Sequence, residues 1–365
     1  MIIIYDIIIF GTGSTAEHFC ENLNKDVNII CYLDNDNLKW NKEFKNKLIL
    51  KPDEVKNITY DYVIIASQYN NDIFSQLIEL NVRENKIFEY LAFINDLYNP
   101  FEYRMKIFEK NIMGYESFIT GISYFVSGID GDILKGKGMN FSFDSQDLYY
   151  DYNIAKYILE NYENKFKYTI IGLNYYSFQY DLSLSSMKDN IRLYYPILKK
   201  SHNYKISNDD YSRLIINKNI ADSLLIINSG EYVLKNRLIP LSKQTEELGM
   251  LGIKQAELDC NKNYPKTVVE NKKIFRKYLD LLKEHNIKPI IVICPTSKYY
   301  YKNFSKRIKN EFFEIMDEMK KKYDFQYIDY FESKLFDDSM FYDVSHLTFE
   351  GGKVFTEILN KEIKV

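Results

Sequence analysis

The sequence predicts an α/β protein of two domains, each built on a parallel sheet, and three observations predict it. The chain has 365 residues, more than one hydrophobic core usually fills. Its first 95 or so residues alternate short apolar runs with helical patterns, and the same alternation restarts near residue 115. Between the two, a connection over 96–114 is broken at Pro100 and is not Gly/Ser-rich, so it reads as a fixed junction.

The elements follow in order. Ile7–Phe10 is a continuous apolar run, as expected of a buried strand, and Ser14–Leu23 reads as a helix. Val27–Leu33 and Tyr62–Ala66 are further strands, and Asp72–Leu80 a helix. The apolar start has no basic n-region, carries Asp6 and runs into a glycine turn, so it reads as a strand and not as a signal peptide. In the second domain, 115–365, strands are expected at Tyr115–Thr120, Met139–Phe143, Tyr168–Gly172, Pro289–Cys294 and Phe325–Ile328. Helices are expected at Asp147–Tyr162, Lys266–His285, Phe304–Tyr323 and Phe349–Ile363. The stretch from about 185 to 265 loses this rhythm and reads as a helical insertion in the second domain, a lid or a substrate wall.

Composition narrows the function classes. Hydrophobic residues are 46%, charged residues 27%, and the net charge is −3, which fits a globular chain and does not favour nucleic acid as a partner. No stretch reaches the length of a membrane span. Cys20, Cys31, Cys260 and Cys294 make no metal-ligand spacing, so reduced thiols and a cytoplasmic location are expected. A homo-oligomer is compatible with the sequence.

In the first domain, Gly11-Thr12-Gly13-Ser14-Thr15-Ala16 follows a strand and opens a helix. Gly11 permits the bend, Gly13 lets backbone approach a pyrophosphate, and Ala16 allows close helix–sheet packing. Asp34 lies about 20 residues on, where a ribose-binding acid is expected. The segment resembles small Rossmann-like domains fused to bacterial surface-polysaccharide enzymes. It shares with them the patterns Leu33-Asp34-Asn35-Asp36 and Tyr62-Val63-Ile64-Ile65-Ala66-Ser67. That resemblance implies a bound nucleotide, nucleotide sugar or NAD(P). The competing reading is a domain that binds nothing or serves only for docking.

The second domain carries the chemistry. Ser123 follows an apolar strand, where ligands bind in such sheets. A serine there can equally cap the next helix, and needs a base to become a nucleophile. Asp343-Val344-Ser345-His346 offers that base, one of only four histidines, with a carboxylate at a spacing that fits within one turn. His346 stands just before a helix start, where a protonated imidazole is disfavoured. Asn174, in Gly172-Leu173-Asn174, follows another strand and has an amide suited to a developing oxyanion, together with the Ser123 N–H.

The order Ser123, then Gly172-x-Asn174, then Asp343-x-x-His346 resembles the SGNH (GDSL-type) hydrolase superfamily, across about residues 116–352. The resemblance implies a flavodoxin-like α/β/α fold, with Ser123 as nucleophile, Asp343 and His346 as acid and base, and Ser123, Ser145, Gly172 and Asn174 around the oxyanion. Three positions depart from the family pattern: Ile122 and Tyr175 stand where aspartates are usual, and Ser145 where a glycine is usual. The expected activity is a serine-dependent esterase or O-acyltransferase on an acetyl-type ester of a glycan or nucleotide sugar, needing no cofactor for the ester step. A catalytically inactive nucleotide- or glycan-binding scaffold is the second reading. An NAD-dependent oxidoreductase, resting on the glycine turn alone, is the third.

Overall fold

The apolar run near the start forms β1 (Tyr5–Phe10), whose last four residues are fully buried, as a strand covered on both faces requires. The computed structural model describes residues 5–97, 99–205, 209–225, 239–244 and 247–365. Residues 1–4 of the apolar start, residue 98 of the expected connection, and 206–208, 226–238 and 245–246 of the expected insertion lie outside the described residues.

The first sheet continues with β2 (Val27–Leu33), β3 (Glu43–Phe44), β4 (Lys47–Leu50), β5 (Tyr62–Ile65) and β6 (Ile87–Glu89), in the order β3-β4-β2-β1-β5-β6. Every pairing is parallel except β3 with β4. The expected all-parallel sheet is therefore corrected to a mixed one. The cause is local: Lys45 and Asn46 both have positive φ, at 47° and 61°, which closes a two-residue hairpin. Among the parallel strands, the order reverses between β1 and β5, and ligands bind at such a switch point.

The chain divides into two compact units. The first comprises 1–100 together with 186–195 and 201–233; the second holds 101–185, 196–200 and 234–365. Much of the stretch expected as an insertion in the second domain thus belongs to the first unit. The helix Asp209–Leu224 explains this, because Ile220, Ala221 and Leu224 share a core with Ile7, Ile9, Phe19, Phe88 and Tyr90. Arg213 pairs with the buried Glu89 of β6, and Asn217 Oδ1 accepts the Glu89 N–H at 2.9 Å.

The second unit carries β7 (Ser117–Gly121), β8 (Gly138–Asn140), β9 (Tyr168–Leu173), β10 (Lys288–Ile293) and β11 (Gln326–Asp329), ordered β11-β10-β9-β7-β8. All pairings are parallel. This is the flavodoxin-like order, with its switch point between β7 and β9. The helices Leu148–Asn161 and Pro265–Glu284 pack on each other and against strands of the sheet. Polar side chains cap three helices: Asp147, Ser305 and Thr348 accept the N–H groups of Tyr150, Arg307 and Gly351. Among the described residues no helix is long and apolar enough to cross a membrane.

Candidate active site

Two facing glycines set the position of Ser123. The register pairs Gly121 at the end of β7 with Gly172 of β9. A Cβ on Gly121 would come within 2.9 Å of the Gly172 backbone, and Gly121 has φ +157°. A Cβ on Gly172 would lie 2.4–2.6 Å from three carbons of the Phe125 ring. Only glycine at 172 lets Phe125 lie across β9, and Phe125 belongs to the short helix Tyr124–Gly128 that Ser123 opens.

Ser123 does not spend its hydroxyl on that helix: it occupies the N-cap position, yet its side chain makes no cap hydrogen bond. Its Oγ lies 2.8 Å from Nε2 of His346 instead. The capping role that serine commonly takes is therefore not the one seen here.

The loop that presents His346 is closed on itself. Phe341 bridges Leu347, Tyr342 N–H donates to His346 O at 3.1 Å, and Thr348 N–H donates to Met340 O at 2.8 Å. Asp343 Oδ1 accepts the N–H groups of Ser345 and His346, each at 2.8 Å. The same carboxylate reaches His346 Nδ1, at 3.0 Å from Oδ1 and 2.9 Å from Oδ2. A proton on Nδ1, donated to this carboxylate, leaves the Nε2 lone pair facing Ser123; the tautomer follows from the hydrogen-bond network. Burial pushes the Asp343 carboxyl up, but the imidazole beside it and the two N–H donors outweigh this and hold it below the usual range. Asp343 is therefore an anion throughout the neutral range.

Two tyrosines unforeseen in the sequence lie against the base. The ring centroid of Tyr124 is 4.5 Å from that of His346, and Tyr342 stacks on it at 5.5 Å with only 10° between planes. Their signal was adjacency, since each follows or precedes a candidate residue in the chain. The spacing of the motif gives no role to Ser345 either, yet it is buried between Asp343 and His346 with its Oγ 3.0 Å from His346 Nδ1.

The expected oxyanion residues occupy the neighbouring strand ends. Phe143 N–H donates to Gly121 O at 3.3 Å, which brings the loop holding Ser145 beside the Ser123 turn. Ser145 has φ +60°, the left-handed region that favours glycine. No acceptor for the N–H of Ser123 or Ser145 is found among the described residues. Asn174 is 1% exposed, two residues past Gly172 just as Ser123 is two past Gly121. Its N–H is held by Ser177 Oγ at 2.8 Å, while its buried Oδ1 has no hydrogen-bond partner among the described residues. Gly172 itself lies inside β9, and its visible contribution is the room it leaves for Phe125.

The departures from the family pattern also have structural explanations. Ile122 and Tyr175 are both buried. Tyr175 packs among Phe304, Phe312, Phe313 and Phe331, and its hydroxyl donates to Asp329 Oδ2 at 2.8 Å. Asp329 is thus an anchor for the Asn174 loop. Cys294, at the end of β10, is buried against Tyr124 O, and burial pushes its thiol pKa up, which makes it an inert neighbour.

In the first unit, the glycine turn and the ends of β1, β2 and β5 border a cleft of about 570 Å³. Gly11 has φ +112°, and a Cβ there would meet Ala66 O at 2.5 Å. A Cβ on Gly13 would meet nothing within 4 Å among the described residues, so the space over it is open. Thr12, Ser14 and Asp34 also line the cleft, while Ala16 is fully buried beneath it, as close helix–sheet packing requires. Asp34 is already engaged: Oδ2 accepts from Thr12 at 2.5 Å and Lys39 at 3.0 Å, and Oδ1 from the Asp36 N–H.

Comparison with known families finds one matching segment in each unit. A family model described as C2185-like, N-terminal, matches residues 3–88, which contain the glycine turn and Asp34. No curated protein matches the chain. A model described as DltD protein matches residues 260–356, which contain Asp343 and His346 but neither Ser123 nor Asn174. The DltD match relates this part of the chain to SGNH hydrolases and is consistent with a hydrolase- or transferase-like enzyme of ester chemistry.

Proposed function

We propose that the chain is a serine-dependent acyl-transfer enzyme that acts on an O-acyl ester of a glycan or nucleotide sugar, an acetyl ester foremost. The observation that carries this reading is the His346 imidazole, with Ser123 Oγ 2.8 Å from one nitrogen and Asp343 2.9 Å from the other. Nε2 takes the Ser123 proton as Oγ bonds to the ester carbonyl carbon. The negative charge that develops on the carbonyl oxygen is met by the N–H groups of Ser123 and Ser145 and the Asn174 amide; each such donor is worth about 10²–10³ in rate. Asp343 stabilises the imidazolium, which then returns its proton to the departing alkoxide as the ester C–O bond breaks. Water or a sugar hydroxyl, deprotonated by the same imidazole, resolves the acyl-Ser123 ester. Water gives an esterase, and a sugar hydroxyl gives an acyltransferase. The DltD match supports a role in modifying a cell-surface polymer, and surface-polysaccharide biosynthesis is the setting proposed.

The test is turnover of acetyl-ester model substrates by Ser123→Ala. Activity is expected to fall by at least roughly 10⁴-fold with the melting temperature retained. Activity equal to the parent sinks the assignment.

For the first unit we propose a nucleotide or nucleotide sugar in the cleft beside Gly11–Ala16. The open space over Gly13 supports this, and Lys39, held by Asp34 and Thr12, brings a cation to meet phosphate. Concentration-dependent thermal stabilisation by a nucleoside diphosphate sugar is expected, and none by any nucleotide tested would refute it.

A further inference from the structure

The residue after the nucleophile leads away from the site through a buried chain of hydroxyl groups. Tyr124 donates to Tyr300 Oη at 3.3 Å, and Tyr300 donates to Asp259 Oδ2 at 2.8 Å. Asp259 also accepts from Gln255 at 2.9 Å and faces Lys262 Nζ at 3.4 Å. Lys262 in turn sits 4.6 Å over the ring of Tyr176, two residues past Asn174. Tyr124, Tyr300 and Asp259 are 2%, 0% and 6% exposed. Burying a carboxylate is costly unless it is paired and hydrogen-bonded, and this one is fully engaged.

We propose that Tyr124 and Tyr342 form an aromatic platform that favours the protonated form of His346, with Tyr300 and Asp259 acting as positioning residues for Tyr124. This rests on His346 being the base. Two faces of aromatic density lie 4.5 and 5.5 Å from the imidazole centroid, within the range where a cation is attracted to a ring. A phenol that donates its proton into a chain ending on a carboxylate becomes richer in electrons, which strengthens its attraction for a cation. Burial, the first cause, drives the Tyr124 and Tyr300 pKa values far up, with the nearby Asp259 charge adding to it; the chain therefore stays a chain of neutral phenols. The platform opposes the helix Phe349–Glu362, whose N-terminus disfavours an imidazolium. Groups facing His346 include Ser123, Tyr124, Tyr342, Ser345 and Asp343, with Tyr176, Tyr300, Cys294, Asp259 and Lys262 behind Tyr124.

The test is direct titration of the His346 imidazole by NMR in histidine-labelled protein, the resonance being assigned by its loss in His346→Gln. Tyr124→Leu is expected to lower the His346 pKa by roughly 0.4–1.5 units, the span set by a cation–π contact. Tyr300→Phe leaves the Asp259 charge in place and breaks only the hydrogen-bonded chain, so it should lower the value by a smaller amount. Tyr342→Leu and Tyr300→Phe carry the test if Tyr124→Leu does not fold. A His346 pKa within about 0.2 units of the parent in every folded variant overturns the proposal. Because the titration needs no turnover, a protein without esterase activity would defeat the proposed function while leaving this measurement decisive for the platform.

Discussion

Gly172→Ala is the sharpest perturbation of the nucleophile's geometry. The added Cβ would lie 2.4, 2.5 and 2.6 Å from Cδ2, Cγ and Cε2 of Phe125, whereas ordinary contact begins near 3.4 Å. The ring must therefore retreat by about 1 Å, the difference between 3.4 and 2.4 Å. Phe125 is 0% exposed and two residues from Ser123 in the same turn, so it cannot swing into solvent and its backbone must take up the shift. Overpacking of this kind costs about 1–3 kcal/mol, or about 2–4 °C in melting temperature per kcal/mol. A misplacement of about 1 Å costs about 10²-fold in rate. The assay is kcat/KM on an acetyl-ester substrate beside a thermal melt, with Phe125→Leu added to Gly172→Ala as the relieving variant. Activity should fall by about 10²-fold, beyond what the modest loss of stability explains, and recover in part in the double variant. Activity within twofold of the parent would refute the claim that the glycine pair positions Ser123.

Two further predictions concern stability. Ser145→Gly relieves a left-handed φ that costs an L-residue about 1–2 kcal/mol, less about 0.5–1 kcal/mol for glycine's own flexibility. Chemical denaturation should show a gain of up to about 1.5 kcal/mol, with turnover kept because the N–H remains; a loss of stability contradicts the reading of this position as a glycine site. Asp151 is buried, accepts from Gln146 Nε2 at 2.6 Å, and burial pushes its pKa well above the usual range. Its proton stays on in the folded state but leaves the unfolded chain above about pH 3.9, so stability falls as pH rises from there toward the folded pKa. Asp151→Asn should therefore melt higher than the parent by a margin that grows from pH 4 to pH 7, and a constant margin in thermal melts contradicts this.

Much of the fold was legible because buried parallel strands are written as unbroken apolar runs. Ile7–Phe10, Tyr168–Gly172 and Pro289–Cys294 lie within β1, β9 and β10 or end one residue past them. The hairpin of β3 and β4 was missed because it turns on Lys45-Asn46 with no glycine, and β6 because three residues carry too little pattern. The helix Asp209–Leu224 was read as helical but placed in the wrong unit, since its apolar residues are spread around the helix and do not say which core takes them. In the candidate site, the Asp343 and His346 pairing followed from spacing, because an aspartate three residues ahead can cap the turn that holds the imidazole. The approach of Ser123 to His346 spans 223 residues and follows only once the strand order is known. Asp259 lies far from either motif with nothing local to mark it, and the run Tyr299-Tyr300-Tyr301, which reads as rings for sugar stacking or as packing, instead buries Tyr300 against Asp259.

The most direct test of the central claim is labelling by a fluorophosphonate, which reacts with a serine only when a neighbouring base activates it. Peptide mapping should find one adduct, on Ser123, formed by the parent and lost in His346→Gln. An unlabelled Ser123 in folded protein, or labelling that persists without His346, would contradict the account.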